Sequence, residues 1–269
     1  MRKPESQERS RNQRTTRREF LRASGRLAAG IALAGAGLNR VEAAPAKRRV
    51  IVWSEGSAPK NVYPNDINAA IAEGLRPLKG WDIRTASLSE PEQGLPDALL
   101  QSASVLIWWG HVHHNDVQDA LVQRIVRRVK EEGMGFLATH SAHWSKPFKA
   151  LMGTSGSWNG GYVEDGSSVQ IRVAAPGHPI AKGLHDFVIP HTERYTEPFD
   201  VPTPDTLVFD GTYVRPDGTK EKSRQGLLWR AGRGHVFYFQ PGHESYPIYF
   251  QPEVQRVFRN AVQWLQRGT

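Results

Sequence analysis

Five histidines stand directly behind two apolar runs of this 269-residue chain. The stretch LIWWGHVHHNDV (106–117) breaks at Gly110 into His111, His113 and His114, and GFLATHSAHW (135–144) breaks after Thr139 into His140 and His143. A sixth, His243, follows HVFYFQPG and precedes Glu244. His111 and His114, like His140 and His143, are spaced i, i+3, which on a turn or a helix start lets two imidazoles face one volume. Imidazoles gathered this way suit two chemistries. A borderline cation such as zinc takes three or four imidazole or carboxylate ligands at about 2.0–2.2 Å, and His111, His114, His140 and His243 are the candidate metal ligands. A histidine beside a carboxylate moves protons near neutral pH, and His143, Glu193 (in HTERY) and Glu244 (in PGHES) are the candidate catalytic groups. The competing reading is that the histidines bond backbone carbonyls at strand ends and contact a polar ligand without any metal.

The aromatics beside them suggest what such a ligand is. Trp144, Trp158, Tyr195 and Tyr246 stand in polar or Gly-rich stretches, and Trp109 ends the first apolar run. Their flat faces suit stacking on a sugar ring, and these five are the candidate substrate-binding residues. Core packing is the competing role for Trp108 and Trp109. Ser141 lacks the G-x-S-x-G surroundings of a nucleophile elbow. The run GTSGSWNGG (153–161) lacks the Gly-Lys-Ser/Thr ending of a phosphate-binding loop and reads as a mobile lid.

The elements that must position these groups follow from periodicity. Residues 49–53 (RVIVW) and 81–86 read as short strands, and the helix between them repeats Ile67, Ala70, Ile71 and Leu75 on one face. SVLIWW is apolar throughout, as a parallel strand buried on both faces requires. A helix capped by Asn115 or Asp116 follows, with Val117, Leu121, Ile125 and Val129 inward and Gly133 as its stop. Residues 135–139 read as a strand and SKPFKALMG as a short helix. The half beyond residue 153 is rich in loops, with strand candidates at 169–173, 206–209, 226–229 and 235–240. Gly232-Arg233-Gly234 turns the last two into a hairpin. Residues 252–266 close the chain as a helix. The expected architecture is a flavodoxin-like, doubly wound, mostly parallel α/β sheet with helices on both faces. In such a sheet ligands bind beyond the carboxyl ends of the strands, where the histidines fall.

Composition narrows the setting. The sequence has no cysteine, which excludes disulfides, thiolate ligands and a cysteine nucleophile, so any metal is held by His, Asp or Glu. Arg17 and Arg18 with Phe20 and Leu21 behind them, a small-residue apolar stretch and Ala44-Pro45-Ala46 read as a twin-arginine (Tat) export signal over residues 1–46. Residues 47–269 are then a single domain, periplasmic or secreted. The apolar stretch 27–38 is shorter than the ~20 residues of a membrane span, so no stable insertion is expected after cleavage. The whole chain carries a net charge of +8, but residues 1–46 hold ten of its Lys/Arg and only four of its Asp/Glu. Residues 47–269 keep 25 basic and 23 acidic groups, which removes the case for nucleic acid as a partner. The expected partners are a small-molecule carbohydrate and the Tat machinery, and a homo-oligomer is compatible with the sequence.

The runs IWWGHVHHNDV, GFLATHSAHWSKPFKALMGTSGSW, GHPIAKGL, TERYTEPFDVPTPDTLVF, QGLLWRAGRGHVFYFQPGHESYP and VQRVFRNAVQWL together resemble the ThuA-like, or trehalose-utilisation, family over about residues 49–266. The resemblance implies the fold of the class I glutamine amidotransferase-like superfamily. It does not imply glutamine hydrolysis, because that nucleophile is a cysteine where this chain has Thr139-His140-Ser141. It implies a role in catabolism of trehalose and related disaccharides through 3-keto sugars, and an association with zinc. The family's recurring residues fall here on His111 and His114, His140 and His143, Glu193, Tyr195 and Glu197, and His243 and Glu244, while His113 occupies a variable position. The expected chemistry is metal- or His/Glu-assisted elimination, hydrolysis or isomerisation. A non-catalytic carbohydrate-binding protein and a metal-dependent ester or amide hydrolase are the alternatives. The export signal departs from a cytosolic sugar-utilisation role.

Overall fold

The computed structural model describes residues 48–268; the export signal expected over residues 1–46 lies outside the described residues. Its strands are β1 (Arg48–Ser54), β2 (Trp81–Ser87), β3 (Val105–Trp109), β4 (Gly135–Thr139), β5 (Tyr162–Val163), β6 (Ser168–Val173), β7 (Phe187–Ile189), β8 (Arg194–Tyr195), β9 (Thr206–Val214), β10 (Lys220–Ala231) and β11 (Gly234–Phe239). Its helices are α1 (Asp66–Leu75), α2 (Asp97–Gln101), α3 (Asp119–Lys130), α4 (Lys146–Met152) and α5 (Pro252–Leu265). Nine strands form one sheet in the order β2-β1-β3-β4-β11-β10-β9-β6-β7. The first five run parallel, in the flavodoxin-like order, and the β10–β11 hairpin turns the sheet into an antiparallel extension.

The apolar strands are continuous because alternate side chains leave opposite faces into two separate helix layers. Val105, Ile107 and Trp109 of β3 join Val50, Val52, Leu137 and Phe237 under α1 and α5. Leu106 and Trp108 point the other way, with Ile51, Phe136 and Val236, under α3 and α4. Trp108 stacks on Trp53 with centroids 3.7 Å apart. The inner face expected for α5 is buried as read: Val254, Val257, Phe258, Val262 and Leu265.

Two local expectations need correction. The helix behind the first histidine cluster begins at Asp119, with Gln118 as its N-cap, and not after Asn115 or Asp116. Val117 takes an extended conformation to bury its side chain, which separates the short turn His114–Asp116 from the helix. Between the second and third strands the chain forms α2, which buries Leu100. The second half also holds more strand than its composition suggests: β9 and β10 run on as a long hairpin to Val214 and from Lys220.

Candidate functional site

Because β1, β3, β4 and β11 run parallel, their carboxyl ends open on one edge, and the segments that follow them converge there. β3 delivers His111, β4 delivers His140, β11 delivers His243 and Glu244, and the segment around β8 adds Glu193 and Tyr195. The three imidazoles form a triangle with ring centroids 5.2 Å (His111–His243), 5.2 Å (His140–His243) and 6.2 Å (His111–His140) apart. His140 has φ +55°, a left-handed backbone that a β-branched or bulky residue avoids, and this bend aims its ring off the end of β4 into the cluster. Its Nδ1–H donates to the Gln240 carbonyl at 3.1 Å, so Nε2 faces Glu193 Oε2 at 3.1 Å and the Tyr195 hydroxyl at 3.3 Å. A bare imidazole nitrogen and a carboxylate oxygen this close need a proton or a cation between them. Ser141 donates to the Gly110 carbonyl at 2.7 Å and is spent on structure.

One donor from each of His111, Glu193 and His243 lies within 4.8 Å of the others, the only three-residue group of this kind among the described residues. His111 Nδ1 rests against Glu244 Oε1, the carboxylate–histidine pairing that leaves the other ring nitrogen for a metal. His243 Nε2 faces Glu193 at 3.7 Å and Glu244 at 3.9 Å. Glu193 Oε2 and Glu244 Oε2 are buried without an aligned hydrogen bond. Two histidines and a carboxylate with unsatisfied oxygens fit a divalent cation such as zinc or manganese. One contact resists it: the Ser245 N–H donates to His243 Nδ1 at 3.2 Å, which keeps the neutral ring's proton on Nε2. Metal binding through Nε2 would move that proton and release the amide.

The charges are mutually supporting. Burial works to raise the Glu193 carboxyl, but the hydrogen bond and charge of His140, with His243, hold it below the ordinary carboxylate range. Glu244 is likewise opposed by burial, yet His111 and His243 bring it down to about 2. Burial works to lower His111, but Glu244 raises it above an ordinary histidine. Burial and the charge of His140 lower His243. Burial and the charge of Glu193 push the Tyr195 phenol up, so it stays protonated.

The i, i+3 expectation fails in both clusters. The backbone bends between His111 and His114, and His140 opens its short turn with a left-handed φ, so only one member of each pair joins the triangle. His114 turns away from the triangle; both its ring nitrogens are buried without an aligned partner, and burial pushes it down to about 4. His143 is sealed off, its Nδ1–H donating to the Gly156 carbonyl, and burial takes it down to about 3. It packs against Trp144, Tyr195, Phe199 and Tyr238, and burial favours its neutral form.

The aromatics divide as well. Trp109 is fully buried, its Nε1–H donating to the Gly242 carbonyl at 3.2 Å, so it packs the core and offers no face to a ligand. Trp158 lies flat on Phe199 at 4.1 Å and is also buried. With it the loop expected as a mobile lid is tied down: Thr154 donates to the Asp200 carbonyl at 2.8 Å, and the Asn159 amide to Pro198 at 2.9 Å. Trp144 is half-buried and meets the exposed Tyr162 edge-on at 5.5 Å. Tyr246 lies 6.0 Å from His243 and stacks on His191 over an apolar groove. Glu197 clamps Arg224 at 2.8 and 2.9 Å and is structural.

Sequence reasoning missed Glu55. It follows β1 as the histidines follow β3 and β4, and its buried carboxylate accepts the Val112 amide at 2.7 Å, the His113 amide at 3.0 Å and the Ser57 hydroxyl at 2.6 Å. It thereby fixes the loop that carries His111 and His114. The same strand-end rule that marked the histidines would have found it. Glu164 was also missed; it reaches within 3.9 Å of His243 Nδ1.

Comparison with known proteins accords with this fold. A ThuA-like protein of Parabacteroides merdae superposes with a TM-score of 0.59 at 14% identity, over 82% of this chain and 90% of that one. One from Bacteroides uniformis gives 0.57 at 17% identity, over 81% and 91%. At such identity these likenesses show the fold. No curated protein matches. The family model described as ThuA, trehalose utilisation, matches residues 49–265. The chain belongs to the ThuA family.

Proposed function

We propose that this is an exported enzyme of carbohydrate catabolism that acts on 3-keto glycosides, trehalose-type disaccharides among them, by acid–base elimination at the His111–Glu193–His243 centre. The observation that carries the reading is the meeting of three imidazoles and two ionised carboxylates at the carboxyl edge of the sheet. Family membership supports the sugar, and the twin-arginine motif of residues 1–46 supports export.

His111, Glu193 and His243 would hold the cation, with Glu244 orienting His111. Bound there, a divalent ion supplies Lewis-acid polarisation of the ketone oxygen. The ketone acidifies the C–H beside it. Glu244 is the more exposed of the two carboxylates, and it would accept that proton. The electron pair then expels the substituent at the anomeric carbon. A carboxylate held near 2 is a weak base, so the reaction depends on a strongly acidified C–H. Tyr195, kept protonated, holds its hydroxyl 3.3 Å from His140 Nε2 and keeps that nitrogen in place beside Glu193.

The test is turnover of methyl 3-keto-glucoside and 3-keto-trehalose by metal-replete protein. Glu244→Gln is expected to lose roughly 10²–10⁴ in rate. Elemental analysis should find metal in the wild type and in His114→Ala, but not in His111→Ala or His243→Ala. Wild-type protein that turns over neither substrate sinks the proposal.

A further inference from the structure

His114 and Trp144 were singled out by the sequence, yet neither belongs to the triangle at the carboxyl edge. They meet instead at a second cavity of about 380 Å³ bordered by His114, Asn115, Trp144, Lys149, Ser155 and Ser157. A string of rings joins it to the first site: His140 lies 5.0 Å from Tyr195, Tyr195 5.1 Å from His143, and His143 5.1 Å from Trp144, centroid to centroid. The buried rings of Tyr195 and His143 pack between the two volumes, and the loop that carries His111 into the triangle carries His114 to the cavity three residues on.

The walls of this cavity have a particular chemistry. Trp144 supplies a half-buried flat face, with the exposed Tyr162 standing edge-on beside it. Around it are polar groups of both senses, the Asn115 amide, the Ser157 hydroxyl and the Lys149 ammonium, while the Ser155 hydroxyl is spent on Asp200 and the Ser157 amide. His114 lines the cavity with a half-buried ring whose two nitrogens are turned inward without aligned partners, so a sugar hydroxyl would meet them on a rotation of the ring. A pyranose has what is missing. Its C–H face stacks on an aromatic plane, and its hydroxyls both donate and accept, matching a neutral imidazole with one donor and one acceptor nitrogen. The groove under Tyr246 is mostly apolar, lined by Ile189, Pro190, Pro247, Ile248 and Phe250; of its polar members His191 stacks on Tyr246 and Gln251 donates to the Val188 carbonyl.

We propose that the Trp144–His114–Lys149 cavity is a sugar subsite that holds the second ring of a disaccharide, the one expelled, while the first ring reacts at the neighbouring histidine triangle. Which ring reacts rests on the acid–base reading above; that a ring binds here does not. Trp144 is its platform, and His114 is a hydroxyl partner and not a metal ligand.

The experiment compares 3-keto-trehalose with methyl 3-keto-glucoside, whose expelled group is too small to reach the cavity. Trp144→Ala is expected to raise KM for the disaccharide about tenfold and leave the methyl glycoside unchanged. Lys149→Met, a milder change on α4, should act in the same direction should Trp144→Ala fail to fold. Equal effects on both substrates, or none on either, overturn the subsite. If the wild type turns over neither, the acid–base reading fails, and calorimetric titration with unoxidised trehalose decides the subsite alone. Binding to wild type that is lost in the folded variant upholds it, and no binding overturns it.

Discussion

His143 shows how one residue can look catalytic in a sequence and be structural in the fold. Burial keeps its imidazole neutral down to about pH 3, while in the unfolded chain it protonates near its ordinary value of about 6.5. Between those values the unfolded state binds the extra proton, so stability is complete above about 6.5 and is lost as pH falls, by up to ~1.4 kcal/mol per pH unit. His143→Gln keeps a donor for the Gly156 carbonyl and removes the titration. Its urea-unfolding free energy should therefore fall less steeply than the wild type's between pH 6.5 and 5. Parallel slopes would show that His143 does not carry this acid sensitivity. The histidines' presence at the strand ends was legible from residue order alone. Their division among three roles was not, because it depends on the left-handed φ of His140 and on which carbonyls, Gln240 and Gly156, stand opposite each ring.

At the scale of elements, the site depends on how neighbouring strand ends hold one another. β1 and β3 lie side by side, and the Glu55 carboxylate spans from the end of one to the loop behind the other through two backbone amides. Glu55→Gln turns one acceptor oxygen into a donor facing an amide. Leaving a buried group unsatisfied costs about 1–3 kcal/mol. The variant is expected to unfold earlier by that amount and, because its loop carries both His111 and His114, to weaken metal retention and disaccharide binding together. Thermal unfolding with elemental analysis checks this, and an unchanged metal content would break the link. The parallel strands and the last helix were readable because each carries its own burial period: β3 is apolar throughout, and α5 repeats on one face. The small sheet of β5 and β8 was not. Two-residue strands have no period, yet they position Tyr195 and, one residue before β8, Glu193.

For the whole molecule, charge and secretion belong to one argument. Most of the excess positive charge sits in residues 1–46, ahead of a domain whose basic and acidic groups nearly balance. The proposed export signal, basic and with paired arginines, before a domain that gathers its site from strand ends far apart in sequence would suit a route that exports proteins already folded. The histidine triangle exists only after β3, β4 and β11 have paired, so on the function proposed above a metal would be loaded onto finished protein, and loading before export would protect the site from competing ions outside. None of the described helices is long and apolar enough to cross a membrane. Cells expressing the full chain are expected to hold it outside the cytoplasm at a mass reduced by the leader. With Arg17→Lys and Arg18→Lys together, the chain should stay inside at full length, folded and with the same metal content. Export that survives the double substitution would point to another route, and with it to a chain that acquires its metal after crossing the membrane.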